Sequence, residues 1–399
     1  MALITYMTRI HFADRVIEDA LADELIRLGM RRPLVVADLD GRTGDDLERL
    51  LAALPGQNAP MFAADPNQPL TESAAAVRMR AVAEGCDGLV AQGGSAALDC
   101  ARLAGLGIVR PAAPTAARRG RATRASSGKL PVVAVPTLPG QGMGLCPALR
   151  LEPSGEEPLP RRLMSDELVP ALLLCDPTLG LDVTPERLAA SGFDALTHCI
   201  EAYLATAWNP PADGIALEGV RRAAASLPRA VETPRDIDDR RELLAAGLNA
   251  GLAAAKGLGA VHALAHALET HLRPATAAAD PWHGALHAAL IPPVLAFNAP
   301  AVPERLALLA EVMGLGRKEA VQAGLARLGA RLGLPDTLVG LHLDAAALAR
   351  VARLAEADPA NLTNPRLASA EDHARLLMAA GAGTGTVPQS PPGTMAQSS

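Results

Sequence analysis

The hydrophobic pattern of the chain changes once, near Pro185, and this change limits the folds that the sequence can adopt. Before it, short β-branched runs alternate with segments whose apolar residues recur at helical spacing. After it, only the helical spacing remains. Alternating strands and helices are typical of a parallel sheet covered by helices, whereas helices alone are typical of a bundle. The sequence therefore predicts an α/β domain followed by an all-α domain.

The first part is expected to form a doubly wound, Rossmann-like parallel sheet. The predicted strands are residues 33–37, 87–91, 131–135 and 170–175, and the predicted helices are residues 16–29, 44–54 and 72–84. In such a sheet the loops that follow the strands meet at one edge, where nucleotides bind. The first domain is assigned to residues 1–182.

The second part is expected to be a helical bundle domain, residues 183–380, followed by a disordered tail, residues 381–399, rich in Gly, Ser, Thr, Pro and Gln. Its predicted helices are residues 185–206, 214–227, 239–256, 285–298, 303–312, 317–331 and 344–355. Residues 110–130 interrupt the first part with Pro, Arg, Ser and Gly. This segment is interpreted as an exposed loop, with anion binding by its arginines as the less favoured alternative.

Composition excludes several classes of protein. The formal net charge is −6 and the pI is near 5.9, which argues against a nucleic-acid partner. The expectation is also that no apolar run reaches the roughly 18 residues of a membrane helix, and that the N-terminus is not a signal peptide. The five cysteines are scattered without a CxxC motif, as expected for reduced thiols in a cytoplasmic protein.

Histidines are concentrated in the predicted helical domain. Asp194 and His198 are four residues apart, as are His262 and His266, so each pair lies on one face of a helix. His283 follows just before the next helix. Two facing helices would bring a carboxylate and imidazoles to one point, a set that suits iron(II) or zinc. The alternative is a half-buried polar stripe, but burying these groups without a ligand would be costly.

Two small-residue loops follow predicted strands in the first domain. Gly93-Gly94-Ser95-Ala96 lies between a strand and a helix, where backbone N–H groups can approach a phosphate. Residues 136–142 (PTLPGQG) follow the next strand. Asp38 ends an earlier strand, and its carboxylate would accept hydrogen bonds from a ribose and repel a 2′-phosphate. The alternatives are ordinary tight turns and a turn aspartate.

These residues resemble the iron-containing (group III) alcohol dehydrogenases over roughly residues 12–380. Residues 192–205 (GFDALTHCIEAYLA) are similar to the family's signature around two metal ligands, and residues 257–298 are similar to the segment that supplies the other two. The resemblance implies a nucleotide-binding α/β domain and a helical metal-binding domain, an architecture shared with dehydroquinate synthase.

Carried over by position, the resemblance implies the metal ligands Asp194, His198, His262 and His283. His266 falls on a histidine near the nicotinamide and becomes the candidate catalytic proton relay. The segment between His266 and His283 is long, and if it is not a simple insertion, His287 replaces His283. The implied cofactor-binding residues are Asp38, Asn67, Gly93, Gly94, Ser95, Ala96, Asp99, Thr137, Leu138 and Leu179.

The function that the resemblance implies is a metal-dependent, NAD(P)-linked alcohol dehydrogenase or aldehyde reductase. A divalent metal, Fe²⁺ or Zn²⁺, would polarise the oxygen of a small aliphatic alcohol or hydroxy acid while hydride passes to NAD, with NADP as the alternative cofactor. A homodimer or larger homo-oligomer is expected. The alternatives are a metal-independent reductase resembling maleylacetate reductase, a lyase resembling the sugar-phosphate cyclases, and a non-catalytic nucleotide-binding protein with a degenerate site.

Overall fold

The computed structural model describes residues 8–38, 44–56, 58–107, 128–151, 161–272, 282–316, 319–339, 341 and 343–382. Most of the arginine-rich segment predicted as a loop and most of the predicted C-terminal tail lie outside these residues. Within them, strands occur only before Pro185 and are followed by helices, which is the order expected from the hydrophobic pattern.

The α/β part is built around six parallel strands. Its elements are β1 (Arg9–Phe12), α1 (Val16–Arg27), β2 (Pro33–Asp38), α2 (Gly44–Ala53), β3 (Met61–Ala64), α3 (Leu70–Ala83), β4 (Gly88–Gly93), α4 (Ser95–Gly105), β5 (Val132–Pro136), β6 (Ala148–Leu151), β7 (Arg161–Met164) and β8 (Leu172–Cys175). The spatial order of the large sheet is β1-β8-β5-β4-β2-β3, and all its pairs are parallel. Strands β6 and β7 form a separate antiparallel hairpin.

The strands that the sequence predicted form the buried centre of this sheet. Strands β2, β4, β5 and β8 are buried along their whole length, and near-continuous apolar runs are typical of parallel strands covered on both faces. The strand order reverses between β2 and β4. This reversal opens a crevice at the carboxyl ends of the two strands, the place where open α/β sheets bind ligands.

The helical part begins at Pro185. Its helices are α5 (Pro185–Leu204), α6 (Pro210–Glu232), α7 (Ile237–Ala254), α8 (Ala260–Leu272), α9 (Trp282–Asn298), α10 (Pro303–Val312), α11 (Val321–Arg331), α12 (Ala345–Ala357) and α13 (Ala370–Ala379). Helix α5 is the central helix, buried almost all round from Leu188 onward. Its start is well defined, because Pro185 occupies the first turn and the Thr184 side chain accepts a hydrogen bond from the backbone N–H of Arg187.

One described segment, His283–Ala301, is long and apolar enough to cross a membrane by length and composition alone. The expectation that no apolar run reaches the length of a membrane helix is therefore wrong for this segment. In the structure this segment is mostly helix α9, which packs against α5, α8 and α11 in the helical core. Pro292 and Pro293 lie within it, and two histidines lie near its start. Its apolar character is accounted for by burial in that core.

Candidate active site

Helix α5 contributes the first two polar residues of a buried cluster. Asp194 and His198 are one turn apart, and the Asp194 Oδ1 atom lies 3.1 Å from the Nδ1 atom of His198. The same Nδ1 atom is also 3.0 Å from the backbone carbonyl of Asp194. Because α5 is buried almost all round from Leu188 onward, both side chains are held in the interior of the helical part.

Helix α8 brings His262 against the α5 residues. Its Nε2 atom lies 3.1 Å from Nε2 of His198, and its Nδ1 atom lies 2.5 Å from the carboxylate of Glu201. The Glu201 carboxylate also accepts hydrogen bonds from the backbone N–H groups of Gly259 and Val261 at the start of α8. One buried carboxylate therefore caps the helix and orients the imidazole that the helix carries.

Helix α9 supplies His283 and His287, and Gly284 between them sets how closely the helix approaches α5. A Cβ atom at Gly284 would lie 1.8 Å from the backbone oxygen of Ala190, so only glycine allows this contact. The approach places the Nδ1 atom of His287 3.1 Å from Oδ1 of Asp194, and Nε2 of His283 3.8 Å from the same oxygen.

Four of these residues present ligand atoms to a common point. One atom each from Asp194, His262, His283 and His287 lies within 4.8 Å of the others, and all four residues are buried. The Nε2 atom of His287 is buried and has no hydrogen-bond partner among the described residues. A buried nitrogen atom of this kind, close to a carboxylate and two further imidazoles, fits the ligand preferences of a divalent transition metal.

The structure brings together the predicted ligands Asp194, His262 and His283, and His198 lies 3.1 Å from side-chain atoms of the first two. His198 touches Asp194 and His262 and stands outside the convergent group, whose fourth member is His287. The His198 ring lies edge-on against His262, with Nδ1 beside the backbone carbonyl of Asp194. The sequence indicated His287 as a substitute for His283, but in the structure both residues belong to the convergent group.

His266, the predicted proton relay, lies beside the cluster and is not part of the convergent group. Its ring stacks on that of His283 with centroids 5.7 Å apart, and its Nδ1 atom is 3.0 Å from the Asp358 carboxylate. The side chain is partly exposed. A histidine whose Nδ1 is fixed by a carboxylate keeps Nε2 for another partner, an arrangement suited to passing protons.

The predicted cofactor residues follow the crevice at the carboxyl ends of the strands. Asp38 at the end of β2 accepts a 2.6 Å hydrogen bond from the backbone N–H of Gly94, which follows β4. Helix α4 starts at Ser95 with neither a side-chain cap nor an acidic residue in its first turn, which leaves its positive end suited to a phosphate. The backbone N–H of Thr137, after β5, is bonded to the carbonyl of Gly93.

The remaining predicted cofactor positions lie around the same edge. Asn67 is exposed in the turn between β3 and α3. Asp99 lies on α4, where its carboxylate pairs with Arg102 at 2.5 Å. Thr137 and Leu179 line a small pocket with residues of α5 and α7. Ala96 lies in the first turn of α4, and Leu138 is buried in the loop after β5.

The loop after β5 connects this edge to the metal ligands. The backbone N–H of Gly140 donates a 2.8 Å hydrogen bond to Oγ of Ser191 on α5. A Cβ atom at Gly140 would lie 2.7 Å from that oxygen and 3.0 Å from Oδ2 of Asp194. Glycine therefore lets the cofactor-side loop lie directly on the carboxylate of the candidate metal site.

Comparisons with known proteins give the same assignment over most of the chain. The model of the family "Iron-containing alcohol dehydrogenase" matches residues 8–177, and that of the "Fe-containing alcohol dehydrogenase family, C-terminal" matches residues 188–381. The chain belongs to the iron-containing alcohol dehydrogenase family. It is 34% identical to a 4-hydroxybutyrate dehydrogenase from Cupriavidus necator over 94% of this chain and 99% of that protein.

Solved structures of this family share the fold. A 1,3-propanediol oxidoreductase matches with a TM-score of 0.81 and 26% identity, covering 95% of this chain and 100% of that chain. A maleylacetate reductase from Agrobacterium tumefaciens matches with a TM-score of 0.76 and 27% identity, covering 95% and 98%. The chain is thus a metal-dependent alcohol dehydrogenase, and the family implies a divalent metal and NAD as its cofactors.

The electrostatics of this iron-type dehydrogenase site favour an ionised Asp194 and neutral imidazoles at His262 and His287. Although burial opposes it, the Glu269 carboxylate raises the pKa of His283 to about 9. Burial works to raise the pKa of Asp194, but the neighbouring His198 and His287 hold it well below its ordinary value. Burial, reinforced by the other histidines, lowers the pKa of His262. Burial likewise lowers the pKa of His287, to about 3. An ionised aspartate and imidazoles with free lone pairs are the forms that bind a metal.

Several residues of the dehydrogenase site were not found by reading the sequence. Glu201 contacts His262, Asp358 contacts His266, and Glu269 lies 2.7 Å from Nδ1 of His283. Of the site histidines on α8 and α9, His262, His266 and His283 thus each have a carboxylate against Nδ1 from outside the convergent group. Glu201 and Glu269 could have been noticed, since each follows a site histidine by three residues on a helix. Asp358 gives no such local signal.

Proposed function

We propose that this protein oxidises a short ω-hydroxy acid, such as 4-hydroxybutyrate, to the corresponding aldehyde acid, with NAD as the hydride acceptor, and that it catalyses the reverse reduction. The observation that carries the chemistry is the convergence of Asp194 with three imidazoles directly beneath the loop that follows β5. The substrate class is supported by the similarity to the 4-hydroxybutyrate dehydrogenase, which extends over nearly the whole of both chains.

In this proposal Asp194, His262 and His283 hold the ion, His198 completes the set implied by the family, and His287 lies against Asp194 as a further donor. Fe²⁺ is the preferred metal, and Zn²⁺ suits the same ligands. When bound, the metal polarises the substrate oxygen and the nicotinamide exchanges the hydride. The chain's own part is to hold these groups rigidly in a buried site.

His266 is proposed as the residue that moves the proton. The Asp358 carboxylate fixes Nδ1 of His266, so Nε2 is available to accept a proton from the substrate side and release it to solvent. Its partial exposure supports this role, because a relay needs contact with water. The proposed cofactor site is the crevice between β2 and β4, with Asp38 near the ribose and the start of α4 near the pyrophosphate.

The test combines a substrate screen with removal of a ligand. The wild-type protein is loaded with Fe²⁺ or Zn²⁺ and assayed with 4-hydroxybutyrate, 1,3-propanediol and 1-butanol, each with NAD and NADP. The highest kcat/KM is expected for 4-hydroxybutyrate with NAD. His262→Ala should lose both bound metal and turnover, whereas unchanged metal content and turnover would contradict the assignment.

The second candidate is a metal-independent reductase like the maleylacetate reductases, whose fold the chain shares. The convergent Asp194 group argues against it, since without an ion the buried Nε2 atom of His287 has no hydrogen-bond partner among the described residues, and a buried polar atom without a partner is costly. Protein that is exhaustively depleted of metal but keeps full activity would favour this candidate. We also propose that the enzyme is a cytoplasmic homodimer or larger homo-oligomer, which light scattering on the purified protein would test.

A further inference from the structure

The carboxylate that contacts Nδ1 of His283 is that of Glu269, and it also forms an ion pair with Arg150. This ion pair joins the helical part to the α/β part of the molecule. The Oε1 atom of Glu269 on α8 lies 2.7 Å from Nδ1 of His283. Its other oxygen, Oε2, accepts a 3.0 Å hydrogen bond from Nη1 of Arg150. Arg150 lies on β6, in the hairpin of the α/β part, whereas α8 and α9 belong to the helical part. The two oxygens of one carboxylate thus join a histidine of the metal cluster to an arginine from the other part.

Arg150 is held in place by more than this ion pair. Its Nη2 atom donates a 2.7 Å hydrogen bond to the backbone carbonyl of His266 and also contacts Oγ1 of Thr270. The hairpin that carries it is anchored in turn, because the buried Arg102 on α4 donates to the backbone carbonyls of Cys146 and Ala148. Both terminal nitrogen atoms of the Arg150 guanidinium are therefore hydrogen-bonded, and the hairpin that carries Arg150 is anchored to α4. The guanidinium in turn fixes the position of the Glu269 carboxylate.

We propose that Glu269 is the positioning residue for His283 and that Arg150 supports it from the α/β part. A carboxylate that accepts the Nδ1 proton keeps the imidazole in the tautomer whose Nε2 carries the lone pair. Here Nε2 of His283 faces Asp194, at 3.8 Å from its Oδ1 atom. Because Arg150 is contributed by β6, the metal affinity of the helical part depends on the docking of the hairpin onto α8.

This inference rests on the proposed role of His283 as a metal ligand, and it is tested by metal binding without substrate. The dissociation constant of the full-length apoprotein for Zn²⁺ is measured by competition with a chromophoric chelator, and the visible spectrum of the Co²⁺ form is recorded. Glu269→Gln should weaken binding by about 10–100-fold and shift the Co²⁺ spectrum. Arg150→Met should weaken it less, because the carboxylate remains.

A matched control is available on the surface of the helical part. Arg222 and Glu242 join α6 to α7 at 2.7 Å, with side-chain exposures of 28% and 40% against 25% and 23% for Arg150 and Glu269. Glu242→Gln should leave the Zn²⁺ affinity and the Co²⁺ spectrum unchanged. If it weakened binding as much as Glu269→Gln, the loss would reflect general destabilisation, and the proposal would be wrong.

A double-mutant cycle separates positioning from a structural effect. If Glu269 acts through His283, Glu269→Gln should cause little additional loss of affinity in a His283→Ala background. Independent, additive losses would overturn the proposal, as would wild-type affinity and spectrum in Glu269→Gln. If Glu269→Gln does not fold, Arg150→Met decides, since it leaves Glu269 and His283 intact. Failure of the proposed function is a different result, in which the wild-type protein itself binds no divalent metal.

Discussion

The Oε2 atom of Glu201 lies 2.5 Å from Nδ1 of His262, and the same carboxylate receives the first backbone N–H groups of α8. The pair connects α5 to α8 with both side chains buried. Burial raises the pKa of Glu201 to about 7, while the three backbone N–H groups at the start of α8 oppose this rise. The stability of the helix start and the orientation of His262 therefore depend on one side chain.

Replacing Glu201 is expected to affect folding and metal binding together. Glu201→Ala leaves several buried N–H groups without an acceptor, which should lower the free energy of unfolding by roughly 3 kcal/mol. The metal affinity should fall by about 10–100-fold, because His262 loses the carboxylate that orients it. Urea unfolding of the apoprotein and Zn²⁺ titration measure the two effects. Glu201→Gln, which retains one acceptor oxygen, should lose less of each, and equal losses would contradict this account.

His287 is expected to contribute to metal binding although the family resemblance does not assign it. Its ring lies in the convergent group with Nδ1 3.1 Å from Oδ1 of Asp194, and its Nε2 atom has no hydrogen-bond partner in the described parts of the chain. His287→Ala should weaken Zn²⁺ binding at least about 10-fold, as the loss of a ligand or of its closest support does. His373→Leu removes another fully buried histidine and should leave the affinity unchanged. Full affinity in His287→Ala would show that this ring only packs against the site.

The close approach of α9 to α5 predicts that Gly284 tolerates no side chain. Its added Cβ would lie 1.8 Å from the backbone oxygen of Ala190, so α9 would have to move and carry His283 away from Asp194. Gly284→Ala should lower the free energy of unfolding by about 3 kcal/mol and reduce the bound metal.

Gly214 on α6 provides the matched control for that substitution. Gly214 is exposed, and no atom lies within 4 Å of the position that an added Cβ atom would occupy. Gly214→Ala should therefore stabilise the protein by up to about 1 kcal/mol through its higher helix propensity and leave metal binding unchanged. Similar thermal unfolding of the two variants would contradict the steric argument.

His373 predicts a loss of stability on acidification that is independent of the metal. It is buried on α13, and burial lowers its pKa from 6.5 to about 4. Between pH 6.5 and about pH 4 the unfolded chain binds a proton at His373 that the native protein does not. The free energy of unfolding therefore falls as the pH drops below 6.5, and the decrease is complete below about pH 4. At pH 5 the decrease is roughly 2 kcal/mol.

The measurement compares urea unfolding of the apoprotein at pH 7.5 and pH 5 in the wild type and in His373→Leu. Between pH 7.5 and pH 5, the free energy of unfolding should fall by about 2 kcal/mol less in the variant than in the wild type, because leucine does not titrate. An identical pH dependence in both proteins would show that His373 is protonated without opening the helical part.

Much of the fold could be predicted because the buried strands and the amphipathic helices leave a periodic pattern. The runs that became β2, β4, β5 and β8 are continuous and apolar, and their burial on both faces gives them an unmistakable signal. Strands β1, β3, β6 and β7 were not predicted. Each has four residues, and β1 and β3 are only partly buried, so their pairing is decided by the neighbouring strand and not by their own sequence.

The sequence by itself determined where Asp194, His198, His262 and His266 lie on their helices, since residues four positions apart share one helix face. Tertiary structure decided which of them meet. The contact of α9 with α5 at Gly284 brings His287 into the group, and the pairing of Arg150 with Glu269 spans 119 positions of the chain. Periodicity reports only the nearest turns of a helix, whereas these contacts depend on how separate elements pack, which no local pattern contains.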